Sequence, residues 1–253
     1  MTPELTTPRL YLPEAMEVGS RLRLGADDRR YIGNVLRLRV GDRLILFDGS
    51  GKECDALIRE LDAASAAVEI MGKRDVAPAG VSVTLAQALP KGSKMDIIVQ
   101  KTTELGVNRI IPFHSLRSIP RIPAEKSRLK TARWQKIAVE ACRQCGRADI
   151  PEVTDVLSFE EAIEAGGIGA LKLLLWEEER ERRVRDVLKD ENVGQAEDIV
   201  VIVGPEGGFA PSEVDRASKL QYLSVGLGRR ILKVETASIA ILTIIQYERG
   251  QLG

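Results

Sequence analysis

With 253 residues, 44% of them hydrophobic and 29% charged, the chain has the composition of a globular protein long enough to bury a substantial core, which excludes a disordered chain. Lysine plus arginine and aspartate plus glutamate number 37 each, so the molecule as a whole is no polycation, and no apolar run approaches the roughly 20 residues that span a bilayer. The opening MTPELTTPRLYLPE has neither the basic start nor the apolar stretch of a signal peptide, so a cytoplasmic protein is expected.

From Arg9 to about Lys73, short segments (RLRLG, DRLILFDG, CDALIRELD, AAVEIM) cluster or alternate apolar residues between Gly and Asp turns, which predicts a small β-barrel or sandwich. RRYIGNVLRLRVGD supplies one short helix inside it. KRDVAPAG breaks the pattern as a linker ending near residue 80, and the domain boundary is placed between residues 74 and 75. Beyond it, strands and helices alternate. VSVTLAQAL reads as a strand, SKMDIIVQKTTELG as a helix with Ser93 as cap and Gly106 as stop, NRIIPF as a strand, and AEKSRLKTARWQKIAVEACRQCG as a long amphipathic helix. SFEEAIEAGG opens with a capping box, Ser158 to Glu161. Strand ALKLLLW, helix RERRVRDVLKD, strand DIVVIV, helix PSEVDRASKL, strand YLSVGL and helix TASIAILTIIQYERG follow, and the run WEEERERR reads as a solvated helix start. Such alternation predicts an α/β fold with a largely parallel sheet covered on both faces, whose ligands sit beyond the carboxyl ends of the strands.

Side chains that carry chemistry are sparse. The pair Cys142 and Cys145 in CRQC has no second pair to complete a metal site, and it reads as an inert helical pair in preference to a redox motif. A lone histidine, His114, is structural rather than a ligand, so no metal is expected. Charge, by contrast, is segregated: from Lys91 to Arg147 there are 13 Lys and Arg against 4 acids. That asymmetry favours a face meeting RNA or DNA phosphates over an ordinary solvated surface.

The stretch DIVVIVGPEGG ends a strand in three glycines around one carboxylate, and VGLGRRI follows a second strand. VGLGRRI approaches a dinucleotide fingerprint but carries Ile231 at the third glycine, and no GxxxxGK[ST] is present. Two turns remain, Gly204 to Gly208 and Gly226 to Leu232. Were their strands neighbours, both would line one crevice where backbone groups read an adenine edge; otherwise they are ordinary tight turns.

KGSKMDIIVQKTTELGV, EACRQCGR, IVVIVGPEGGFAPSEVD, VGLGRRILKVETASIAIL and the N-terminal VLRLRVGDRLILFDGSG together resemble the RsmE family of 16S ribosomal RNA uridine-N3 methyltransferases, within the SPOUT superfamily. The resemblance implies a PUA-like β-barrel (1–74) and a SPOUT methyltransferase domain (75–253) closed by a C-terminal trefoil knot. It implies S-adenosylmethionine held by three loops: Leu175 at the end of LLLWEE, then Gly204, Pro205, Gly207 and Gly208, then Leu223, Leu227, Gly228, Ile231, Leu232, Thr236 and Ala237. It further implies a homodimer acting on 16S rRNA of the small ribosomal subunit. Lys233 stands where the family has arginine, and Asn34 near where it has histidine.

The chemistry so implied asks the protein to favour a uridine deprotonated at N3. A guanidinium beside the flanking carbonyl oxygens would do so, and Arg230 is the candidate, with Arg229 its competitor; Glu206 and Glu235 are candidates to accept the proton or orient an arginine. Arg9, Arg29, Arg30 and Arg37 of the barrel and Lys91, Lys94, Lys101, Arg117 and Arg121 are expected to hold RNA, with Arg143, Gln144 and Arg147 facing the target strand. The rival reading is an RNA-binding assembly factor without catalysis.

Overall fold

The computed structural model describes residues 7–76, 80–119, 122–167, 169–190, 193 and 196–252. Residues 1–6 of the N-terminal stretch, residues 77–79 of the expected linker, and Arg121 lie outside them. The chain forms two compact units, Met1–Pro78 with Cys142–Ile150, and Ala79–Ala141 with Pro151–Gly253.

In the first unit, strands β1 (Arg9–Tyr11), β2 (Arg21–Leu24), β3 (Arg43–Phe47), β4 (Lys52–Leu61) and β5 (Ala66–Asp75) make a sheet in the order β1-β3-β4-β5-β2. Only β1 on β3 runs parallel among these pairs. Period-two alternation turns Leu44 and Leu46, then Cys54, Ala56 and Ile58, then Ala66, Val68 and Ile70 onto one face, where Leu10, Leu24 and Ile32 close the core. The helix expected in RRYIGNVLRLRVGD is α1 (Ala26–Arg30), continued by one π-helical turn, Tyr31–Val35. Arg37 after it has φ 57, a left-handed backbone uncommon for a residue other than glycine. Residues 142–150 add Cys142 and Ala148 to a small cluster with Phe47, Tyr11 and Ile150.

In the second unit, β6 (Ser82–Ala88), β7 (Arg109–His114), β8 (Glu152–Val153), β10 (Leu171–Leu175), β11 (Asp198–Val203) and β12 (Leu223–Val225) lie in the order β12-β10-β11-β6-β7-β8, with β9 (Leu157–Ser158) also on β7. Every one of these pairs is parallel. Both faces are covered, which is why Ile199 through Val203 of β11 are all buried and read as an unbroken apolar run. On one side α4 (Phe159–Glu164) and α6 (Pro211–Lys219) bring Phe159, Ile163 and Ala217 onto Ala86, Phe113, Leu174 and Ile202. On the other, α7 (Val234–Glu248) packs on β6, β11 and α2 (Lys94–Glu104), and the Ser238 hydroxyl donates to buried Gln87 Oε1 at 2.6 Å. The remaining helices are α3 (Ala124–Cys145) and α5 (Val184–Lys189).

The capping box of α4 forms as expected between Ser158 and Glu161. Ser93 occupies the N-cap position of α2 as expected, though its side chain makes no capping hydrogen bond. The run WEEERERR is no helix start: residues 176–183 are irregular, with a turn at 177–178 and a bridge at Arg183, and α5 starts only at Val184. Their backbone is committed elsewhere, with Trp176 N donating to Val225 O at 3.1 Å and Arg182 O accepting from Gly226 N at 2.9 Å. The Glu179 carboxylate takes the amides of Glu181 and Arg182 and the Ser224 hydroxyl, the local side-chain bonding that competes with a helix. Cys142 is buried, and burial pushes its thiol up to about 12; with Cys145 it forms a free pair at the end of α3.

Candidate active site

The parallel register sets the site. Leu175 pairs with Val203 on one side and Val225 on the other, so β10, β11 and β12 end abreast and the turns beginning at Trp176, Gly204 and Gly226 leave the sheet at one level. Between them lies a cleft walled by Leu175, Val203, Val225, Leu227, Leu232, Val234 and Ala237, with Gly204, Pro205, Gly208, Gly226 and Gly228 supplying backbone, and with Trp176, Glu177, Arg180, Arg230 and Ile231 also lining it. Two glycines are required here, Gly208 by its left-handed backbone and Gly226 by close approach to another stretch of backbone. A Cβ at Gly208, whose φ is 65, would stand 1.7 Å from Glu177 Oε1, and one at Gly226 would stand 2.7 Å from Glu179 O.

Of the residues assigned to the cofactor, Leu175, Gly204, Pro205, Gly208, Leu227, Gly228, Ile231, Leu232 and Ala237 are brought together here, while Gly207, Leu223 and Thr236 are not among the lining residues. Gly207 instead faces Arg117, whose Nη1 donates to its carbonyl at 3.0 Å. Trp176, Glu177 and Arg180 went unread because their charged run imitates a solvated helix. Their signal was position, directly past the carboxyl end of a buried parallel strand.

Arg230 is exposed on the lip of the cleft, and Ile231 beside it is 82% exposed, a large apolar surface with no core to fill. Glu206 points to α2: Lys94 Nζ donates to Oε1 at 2.6 Å and the Lys91 amide donates at 3.2 Å. Burial alone would push the Glu206 carboxyl up, but these hydrogen bonds and the Lys94 charge outweigh it and hold it below its ordinary value. The bond to Glu206 in turn pushes the Lys94 ammonium above its usual value. Lys94 Nζ also stands 3.8 Å from Glu235 Oε2, a buried oxygen without a hydrogen-bond partner among the described residues. The two candidate carboxylates thus share one ammonium.

The expected RNA contacts divide. Arg9 is 12% exposed at its side chain, paired with Glu53 and hydrogen-bonded to Arg147 O at 3.0 Å. Arg147, at 14%, pairs with Asp149, so both guanidinium groups serve the interior of their unit. The Arg143 guanidinium stacks 3.9 Å over the Tyr31 ring, with Gln144 exposed beside it. Arg30 and Arg37 are exposed, and Arg29 donates to Asp62 O and, at 3.3 Å, to Asn34 Oδ1. Lys101 pairs with Glu104 at 2.8 Å, and Lys91 is exposed. Lys233 is the exposed N-cap of α7. Among the described residues no group of three or more His, Cys, Asp or Glu could hold a metal ion.

Residues 77–246 match the RNA methyltransferase domain family and residues 24–71 the RNA methyltransferase PUA domain. The ribosomal RNA small subunit methyltransferase E of Bacillus subtilis is 30% identical over 239 residues, 93% of each chain. Its counterpart from Mycobacterium tuberculosis is 28% identical over 236 residues, 92% of this chain and 88% of that one. Among solved structures, a ribosomal RNA small subunit methyltransferase E from Neisseria gonorrhoeae bound to S-adenosyl methionine superposes with a TM-score of 0.85 at 34% identity, over 95% of this chain and 97% of that one. A methyltransferase from Legionella pneumophila with the same cofactor bound gives 0.86 at 34%, with the same coverage.

Proposed function

Since the chain belongs to the RNA methyltransferase family that includes ribosomal RNA small subunit methyltransferase E, we propose that it transfers a methyl group from S-adenosylmethionine to N3 of a uridine in 16S ribosomal RNA. The observation that carries this reading is the convergence of three strand ends on one glycine-edged cleft. Its residues fit the cofactor: apolar walls from Leu175, Leu227 and Leu232 suit an adenine, a side chain at Gly208 or Gly226 would clash with the loop across it, and the buried Trp176 Nε1 has no partner among the described residues. When bound, the cofactor supplies an electrophilic methyl carbon.

The chain's own residues then have to aim the base and favour its anion. Arg230, which lines the cleft, is the residue we assign to neutralise charge spreading onto the uridine carbonyl oxygens as the N3 proton leaves. Glu206, kept anionic by Lys94, is a weak base, and we assign it the orienting role. Glu235, whose Oε2 is ion-paired with Lys94 but accepts no hydrogen bond among the described residues, is the candidate proton acceptor.

The reading extends to the whole chain. Residues 1–74 serve as a PUA-like RNA-binding domain and 75–253 as the SPOUT catalytic domain, with a C-terminal trefoil knot. In support of the knot, β12 lies at the sheet edge beyond β10, the 176–183 loop is tied to it by the bridge between Arg183 and Gly226, and α7 then returns across β11 and β6. Arg29, Arg30, Arg37, Arg143, Gln144, Lys91, Lys101, Arg117 and Arg121 remain the candidates for holding RNA, and a homodimer is expected. No described helix is long and apolar enough to cross a membrane; a substrate in ribosomal subunits is what places the chain's action in the cytoplasm on this reading. Mass spectrometry of rRNA nucleosides from cells with and without this chain tests the proposal. Loss of 3-methyluridine at one site, restored by the wild-type chain, is expected; an unchanged profile, or loss of a different methylated nucleoside, overturns it.

A further inference from the structure

Glu177 lies two residues past the end of β10, and its carboxylate occupies the space a side chain at position 208 would need. Gly208 has no Cβ, which leaves this space to the acid, an exposed side chain that also lines the cleft. Among the described residues this carboxylate makes no hydrogen bond or ion pair, so its charge is not committed to a neighbour in the fold. It is also the single acid among the described residues lining the cleft, against Arg180 and Arg230.

Cofactor and product of a methyl transfer from S-adenosylmethionine differ in one respect that a carboxylate can sense. The sulfonium sulfur carries a fixed positive charge at every pH. Once the sulfur–carbon bond breaks with its electron pair left on sulfur, and the N3 lone pair of the base has bonded to the methyl carbon, the sulfur is a neutral thioether. The adenine, ribose and amino-acid tail are unchanged. Resting on the methyltransferase reading above, we infer that Glu177 is a specificity-determining residue that favours the charged methyl donor over its demethylated product. The preference is Coulombic, so it also eases product release after each turnover.

Isothermal titration calorimetry of the full-length protein with S-adenosylmethionine and with S-adenosylhomocysteine tests this. In Glu177→Gln, which keeps shape and removes charge, donor affinity should fall about fivefold to tenfold and product affinity by less than about twofold. In the wild type the preference should shrink as salt is raised. Glu177→Asp, which keeps the charge on a shorter arm, should retain part of it. Equal losses for both ligands overturn the inference, because the carboxylate would then be meeting the ribose hydroxyls or the amino group that both share. Unchanged affinities overturn it as well, since Glu177 would face neither. A wild-type protein that binds neither ligand defeats the methyltransferase reading itself, and the inference with it.

Discussion

Lys94 joins two acids that stand 29 positions apart in the chain, Glu206 in the turn after β11 and Glu235 in the first turn of α7. Its partner Glu206 has a carboxyl held below its ordinary value in the folded protein, so the pair's contribution to stability is present above that ordinary value and is lost as pH falls through the lowered one. Thermal melts of wild type and Lys94→Met should therefore differ near neutrality, with the wild type melting higher, and should converge as the pH falls through the lowered Glu206 value. A constant gap across that range would mean that packing of the lysine stem, not its charge, is what the variant loses. Arg230 raises a separate expectation. If its guanidinium acts only as the N3 proton leaves, Arg230→Ala lowers turnover by about 100-fold or more while cofactor affinity stays near wild type. Raising the pH should partly restore the rate, and Arg230→Lys should rescue incompletely because a point charge lacks the planar fork. Single-turnover assays beside calorimetry separate these effects, and weakened cofactor binding with normal turnover would move Arg230 into the cofactor's own contacts.

The turn after β11 shows how far local sequence reaches. Its strand was legible because Ile199 to Val203 are covered on both faces and so are uniformly apolar, and the start of α4 because Ser158 and Glu161 bond reciprocally within four residues. The glycines of GPEGG marked a site for the same local reason, yet their roles differ: Gly208 lies in the cleft at φ 65 beneath Glu177, while Gly207 turns toward Arg117. Gly208→Val should accordingly abolish cofactor binding in a folded protein, whereas Gly207→Ala, whose Cβ would come 3.3 Å from Arg117 Cβ, should leave that affinity within about twofold. Calorimetry with S-adenosylmethionine decides it, and equal losses would return Gly207 to the cofactor wall. What stayed hidden depended on partners distant in sequence. Residues 176–183 look like a helix start until Gly226 and Ser224 take their backbone and the Glu179 carboxylate, and β8 and β9, two residues each, are too short for any periodicity. Arg9 looked like a phosphate contact for the same reason, because its partner Glu53 lies 44 residues on, whereas Arg147 pairs with Asp149 only two residues away, a contact that spacing alone does not announce.

At the scale of the molecule, the outer faces of α2 and α7 leave Ile97 47% exposed and Tyr247 65% exposed on helices that pack side by side. The proposed homodimer predicts that a second copy would cover such apolar groups. Light scattering at micromolar concentration should give twice the mass of the chain, and a fully active monomer would refute an active site shared between copies. The order of strands carries one more consequence, for synthesis. The cleft needs β12 to settle beside β10, which precedes it by some 50 residues, and β11 beside β6, which precedes it by more than 100. Pairings so distant in sequence form late and slowly. A nascent chain therefore has no place for the methyl donor until its last strand leaves the ribosome, and the donor, binding only the finished arrangement, acts as a latch on the C-terminal segment. Hydrogen exchange of residues 223–248 should slow when S-adenosylmethionine is added, with the first unit unaffected; protection spread evenly over the chain would deny the latch.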